Sequence, residues 1–286
     1  MTGKVLVAGA TGALGRQVVR LLVSRGIPVR VLTRSSGGKS LPGVELFEGD
    51  ALKPHGLDGA ADGAELVFSC LGASVDPAAP GRAGYPDVDT PANVALIEEA
   101  RRAGVRRFVY VSVFHTPELA DLAYVKAHED VVRALEASGL DFGVVRPTGF
   151  FSAFALMLPM ARKGTLPLIG SGLARSNPIS EVDLAARCVE TLLGTAREVE
   201  AGGPEVLTRA EVNERVFGAL GLPVRNVRLP LWLLGVLAAL TRPFHPRASQ
   251  FMRFLVAVAK HDAVAPVQGQ RKLSDALKAV ARDSAR

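Results

Sequence analysis

"VLVAGATGALGRQVV", residues 5–19, decides the fold. A short continuous apolar run leads into glycines at positions 9, 12 and 15, and then into a helical pattern of Leu14, Val18, Leu21 and Leu22. Strand, tight turn and helix in that order is the context in which a G-x-x-G-x-x-G pattern binds a dinucleotide. The glycines permit the turn and let the backbone approach a pyrophosphate, whose charge the free N–H groups of the helix N-terminus then hold. Gly9, Thr11, Gly12, Ala13, Leu14 and Gly15 are therefore the expected pyrophosphate contacts. An ordinary strand-to-helix turn is the competing reading.

Outward from that segment, "PVRVLTR" (28–34), "VELFEGD" (44–50), "AELVFSCLG" (64–72), "VRRFVYVSVF" (105–114) and "LDFGVVRPTGFF" (140–151) read as further strands separated by helical patterns. One helix is expected to take Thr90 as its N-cap, Pro91 as its first residue and Gly104 as its stop; another carries Tyr124 and stops at Ser138–Gly139. Apolar strands alternating with helices predict a parallel sheet covered on both faces, a doubly wound α/β (Rossmann) domain over residues 1–150. Residues 74–91, rich in Pro and Gly, read as a long loop.

After residue 150 the spacing becomes irregular. Ser180–Asp183 and Thr208–Glu211 are spaced as capping boxes, and apolar helices are expected at 230–241 and 248–260. The expectation is a smaller α+β lobe over 151–286 that closes over the ligand edge, with helix 181–194 packing back on the first domain.

The chain has 286 residues, 48% of them hydrophobic, which suffices for a sizeable core in one large domain or two joined lobes. Two cysteines, Cys70 and Cys188, are too few for a disulfide framework, so a reducing, cytoplasmic setting is expected. The opening "MTGKVLVAGATG" does not read as a signal peptide. Isolated cysteines and histidines without His-x-x-x-His spacing lead to no expected metal site.

A net charge of +6 suits nucleic acid, a membrane surface or a phosphorylated ligand. The cations are scattered and aromatics make up only 6%, so nucleic acid is not expected. "LPLWLLGVLAAL" (229–240) is too short to span a bilayer core of ~30 Å. With Trp232, Arg242, Phe244 and Arg247, the stretch 229–247 offers either peripheral contact with a membrane or a core or dimer helix. A monomer or homodimer is expected.

At the end of the second strand, "VLTRSSGGKS" has no carboxylate to hold the ribose 2′-OH of NAD. It has Arg34 and Ser35 instead, flanked by Thr33 and Ser36, and a guanidinium grips a 2′-phosphate bidentately. NADP is therefore preferred over NAD, with Arg16 and Lys39 adding positive charge. Asp50 and Ala51, after the third strand, are placed for the adenine. Cys70, Leu71 and Gly72 end the fourth and are expected to face the cofactor, with Cys70 read as a small buried hydrophobe rather than a nucleophile. Ser112 ends the fifth strand, and Pro147, Thr148 and Phe150 follow the sixth, where a nicotinamide and a substrate would sit. Arg146 is open to two readings, site cation or buried structural cation.

"GATGALG", "VRVLTR", "GD" at 49–50, "AGVRRFVYVS", "SGLDFGVVRPTGFF" and "NPISEVDLA" together resemble the short-chain dehydrogenase/reductase superfamily in its atypical, NmrA-like branch. The resemblance covers residues 1–195 well and the rest faintly, with some likeness to divinyl chlorophyllide reductases. It implies a catalytic set of a hydroxyl residue after the fifth strand and a tyrosine–lysine pair four residues apart. Here the pair is Tyr124 and His128, and the hydroxyl position holds Phe114. A histidine can bind ribose through its N–H, and lowers a tyrosine pKa only when protonated. Tyr124, His128, Val131 and Leu135 share one helical face, so Tyr124 reads either as proton donor or as core.

Two functions follow. The first is an NADPH-dependent oxidoreductase reducing a small apolar carbonyl or conjugated alkene. The second is a non-catalytic NADP(H)-sensing regulatory or assembly protein, because the catalytic set is incomplete.

Overall fold

The computed structural model describes residues 3–34, 41–73 and 82–284. Six parallel strands, β1 (Lys4–Ala8), β2 (Val29–Thr33), β3 (Glu45–Glu48), β4 (Ala64–Ser69), β5 (Arg107–Val111) and β6 (Asp141–Pro147), are joined by a seventh, β9 (Glu198–Ala201). Their order is β3-β2-β1-β4-β5-β6-β9, and every pairing is parallel. This is the doubly wound arrangement, with its switch point between β1 and β4.

Apolar residues run through the central strands because both faces are covered. Val5 and Val7 of β1 join one core with Val18 and Leu22 of α1 (Ala13–Ser24) and Leu184 and Val189 of α6 (Glu181–Leu193). Leu6 and Ala8 point the other way, to Leu96 and Ile97 of α2 (Tyr85–Arg102) and Val131 and Leu135 of α3 (Ala123–Ser138). The two-residue period of a strand thus feeds two cores at once.

The remaining elements form a third core. Short helices α4 (Phe151–Ala155) and α5 (Leu158–Arg162), α7 (Arg209–Leu220) and α10 (Leu273–Asp283) enclose Leu158, Leu166, Val216, Phe217 and Leu277. Beside it lie β7 (Leu166–Ile169) paired with β11 (Asn226–Leu229), and β8 (Arg175–Ser176) paired with β10 (Leu207–Thr208). A hairpin of α8 (Leu231–Thr241) and α9 (Pro246–Val258) packs against α3. Among the described residues no helix is long and apolar enough to cross a membrane.

Three expectations are corrected. Helix α2 begins at Tyr85, not Thr90: Asp87 Oδ2 accepts from the Gly84 N–H at 3.0 Å, Pro86 falls in the first turn, and Pro91 lies inside the helix. The Thr90 hydroxyl donates to Ala127 O on α3 instead of capping. Ser180 caps α6 through Val182 and Asp183 N–H, but the Asp183 carboxylate does not return to it, accepting instead from the Gln270 and Arg271 N–H groups at 2.8 Å. Helix α10 has no counterpart among the expected elements. The Thr208–Glu211 box forms in full, and Gly139 closes α3 at φ +77°.

One cation ties the layers together. Arg107 on β5 is fully buried and donates to Asp141 (2.6 Å), to Thr191 O of α6 and to Ala196 O before β9. Arg107→Ala strands two carbonyls and the Asp141 partner, and is expected to lower unfolding free energy by about 3 kcal/mol, read as a shift in the urea midpoint at unchanged slope.

Candidate functional site

Because all seven strands run parallel, their carboxyl ends open on one edge. The β1–α1 turn there is built around backbone contact. Gly9 has φ +85°, and a Cβ on it would meet Cys70 O at 2.7 Å. A Cβ on Gly15 would sit 2.2 Å from Gly9 O, so helix α1 starts pressed against the turn. The Gly12 N–H donates to Gly9 O, and Gly12 is the N-cap of α1. No side chain caps the helix and its first turn holds no acid, so its positive end faces outward. Thr11, Gly12 and Ala13 are exposed there, whereas Leu14 and Gly15 are buried against the core. Absent side chains, exposed N–H groups and an unopposed helix dipole suit a pyrophosphate.

Arg34 is exposed just past β2; Ser35, Ser36, Lys39 and residues 74–81 of the expected loop lie outside the described residues. The Arg16 guanidinium donates to Thr11 O and so braces the turn. Asp50 Oδ1 accepts from Leu52 N–H, with Ala51 half-buried between them. Cys70 lies over the turn, its Sγ 3.6 Å from Ala8 O and Gly9 O, and burial pushes its thiol up to about 12. Leu71 is fixed by Asn93, which donates to its carbonyl at 3.0 Å, and Gly72 faces Asp89.

Ser112 is occupied. Its hydroxyl donates to Glu129 and accepts from Arg146, both at 3.2 Å. Arg146 also pairs with Glu129 and Glu198 in a part-buried network, the structural reading of that cation. Pro147 is buried at the end of β6, Thr148 donates to Asn177 O at 2.6 Å, and Phe150 bridges to Ile179.

Tyr124 and His128 do come together, ring centroids 4.7 Å apart and edge-on. Tyr85 at 4.9 Å and Phe254 of α9 at 5.3 Å complete an aromatic cage around Tyr124. Among the described residues the Tyr124 hydroxyl has no hydrogen-bonding partner. His128 Nδ1 lies 2.6 Å from the Tyr110 hydroxyl, while its buried Nε2 has no partner among the described residues. Burial lowers the His128 pKa to about 4, so the ring is neutral near pH 7 and supplies no cation to Tyr124. Burial, then the neighbouring Asp89, raises the Tyr124 pKa.

Asp89 went unnoticed in the sequence. It is 1% exposed on α2, its Oδ1 accepts the Ala73 N–H at 2.5 Å, and its Oδ2 has no partner among the described residues. That Oδ2 lies 3.5 Å from the position a Cβ on Gly72 would take. Desolvation raises its pKa to about 7. A signal existed: Asp89, Ala92, Asn93 and Leu96 follow helical spacing, and two polar members on a buried stripe need a reason.

The family model of NAD(P)H-binding proteins matches residues 9–193, and the chain belongs to that family. It is 30% identical to an NAD(P)H azoreductase of Xenophilus azovorans over 79% of this chain and 77% of that one. It is 32% identical to a divinyl chlorophyllide a 8-vinyl-reductase of Oryza sativa subsp. indica, over 82% of this chain and 64% of the longer relative. The fold matches a Citrobacter sp. triphenylmethane reductase complexed with NADP(H), with a TM-score of 0.73, 18% identity and 98% and 99% of the two chains covered.

Two outcomes are expected. Arg34→Ala should weaken NADPH binding by about 10- to 100-fold while leaving NADH unchanged, by calorimetry. Asp89 binds its proton more tightly when folded, so its penalty is absent below pH ~4 and grows until pH ~7. His128 has the opposite sign, contributing stability above pH ~6.5 that is lost towards pH ~4. The two oppose each other, so the difference between variant and parent isolates Asp89. Asp89→Asn should be more stable than the parent by about 1–3 kcal/mol at pH ~8 and equal to it near pH ~4, by urea unfolding at both pH values.

Proposed function

We propose that this member of the NAD(P)H-binding family is an NADPH-dependent reductase of the atypical, NmrA-like branch, acting on a small apolar carbonyl or conjugated alkene. The observation that carries this reading is the Tyr124 hydroxyl, free of any described partner while its ring is fixed edge-on by Tyr85, His128 and Phe254. When bound, the dihydronicotinamide supplies hydride. The glycine turn and the α1 N-terminus hold the pyrophosphate, and Arg34 favours the 2′-phosphate, whereas His128 is buried with its Nδ1 on the Tyr110 hydroxyl.

The chain's own part in the reaction is position and a proton. With His128 neutral and its own pKa raised, Tyr124 stays a phenol near pH 7, suited to donate a hydrogen bond or proton to the substrate and unsuited to act as a base. Phe114 and Leu122, with Ala257 and Val258 of α9, pack together with Tyr124 against Leu119, Val125 and Ala263 as an apolar wall. Such a wall favours an apolar substrate and excludes water. Residues 151–180 and 204–284 act as the lobe over the ligand edge. Two free thiols, Cys188 fully buried, support a cytoplasmic setting, and a monomer or homodimer fits the same reading.

NADPH consumption over a panel of enones and quinones tests this. Tyr124→Phe should lower kcat by about 10²- to 10³-fold with NADPH affinity unchanged. Undiminished turnover in the variant removes Tyr124 from the chemistry. Tight nucleotide binding with no turnover on any substrate would favour the sensing role.

A further inference from the structure

Helix α8 is apolar all round: from Leu229 to Thr241 there is no charged side chain. A helix of that kind belongs either in a core or in contact with lipid. Here only Leu234 and Ala238 are buried, against α9, whose Ser249 hydroxyl donates to Ala238 O at 2.6 Å. The other side is open. Trp232 is 69% exposed, Leu240 65% and Phe244, in the following turn, 76%, with Val236 and Leu237 exposed between them. Trp232, Val236 and Leu240 follow one another at four-residue steps and so make one stripe. Contiguous exposed apolar surface of this kind marks an interaction site.

Charge identifies what it meets. Residues 215–261 contain seven Lys and Arg and no Asp or Glu. The whole chain carries +6, so the remainder sums to −1; the excess cation lies in a stretch that runs from the end of α7 through this hairpin, which itself holds Arg242, Arg247 and Arg253. Arg228 before α8, Arg242 at its C-cap and Arg253 on α9 are all exposed. A second copy docking through α8 would set two acid-free cationic segments against each other, which is unfavourable. Eleven residues of helix reach about 16 Å, so α8 lies along a bilayer surface rather than crossing it.

We infer that the open face of α8 with Phe244 is a docking surface for an anionic lipid bilayer, with Trp232, Leu240 and Phe244 entering the headgroup–acyl boundary and the flanking arginines meeting lipid phosphates. Tryptophan suits that depth, and each surface cation adds attraction that salt screens. The same hairpin carries Phe254 against Tyr124, so docking brings the wall over the site to the lipid surface.

Trp232 is the one tryptophan in the chain, so fluorescence of the full-length protein reads this position alone. With phosphatidylglycerol vesicles its emission should shift to the blue and be quenched by brominated acyl chains. Binding should weaken at least about 10-fold on pure phosphatidylcholine or at high salt. The double variant Leu240→Glu and Phe244→Glu, at exposed positions, should lose vesicle cosedimentation by at least about 10-fold with NADPH affinity and far-UV circular dichroism unchanged. Emission that no vesicle alters overturns the docking surface. Equal binding to both lipids overturns the role of the arginines. A blue emission without lipid, together with a dimeric mass by light scattering, assigns the face to a second copy. Lipid binding is read without turnover, so its failure leaves the reductase reading untouched.

Discussion

The contact between Gly15 and the carbonyl of Gly9 sets the rest of the molecule. With 2.2 Å between that oxygen and any added Cβ, only glycine lets α1 begin so close to the end of β1. That closeness aims the uncapped helix end at the sheet edge and seats Val18 and Leu22 on Val5 and Val7. One steric constraint therefore positions the uncapped end of α1 and half of the main core. The loop after β4 is fitted to it in turn, since Gly9 admits Cys70 O where a side chain would stand.

Much of this was legible in the sequence because the signals were local. A parallel strand buried on both faces is apolar through its buried length, and residues 5–8 and 108–111 are, each after a leading cation. Helix stops were legible where glycine takes a left-handed conformation, as at Gly104 and Gly139. What escaped depended on partners distant in sequence. The start of α2 is set by Asp87 and by Gln250, 165 residues further on, and Thr90–Pro91 looked like a start because a hydroxyl before a proline is the usual local sign. Asp183 looked like half of a capping box, but its carboxylate holds the segment before α10.

At the site, the glycines and the Tyr124–His128 pair could be read from spacing, whereas their electrostatics could not. His128 stands where the resemblance leads one to expect a lysine, and burial keeps it neutral near pH 7. The polar character near Tyr124 comes instead from α2, where Asp89 holds a carboxyl whose second oxygen has no partner among the described residues. Three tyrosines, 85, 110 and 124, surround these groups, and each has its pKa raised by burial, with Asp89 adding to it. The three phenols are thus kept protonated and uncharged near pH 7.

The bond from Tyr85 N–H to Gln250 Oε1 has a consequence for how the protein is made. Domains assemble as the chain leaves the ribosome, amino-terminal part first. Strands β1 to β6 and helix α3 emerge long before α9, so the sheet and its glycine turn can close early. The first turn of α2, and the aromatic cage that Phe254 completes, must wait for the last sixth of the polypeptide. A nascent chain paused before that point holds a finished glycine turn beside an unfinished aromatic cage.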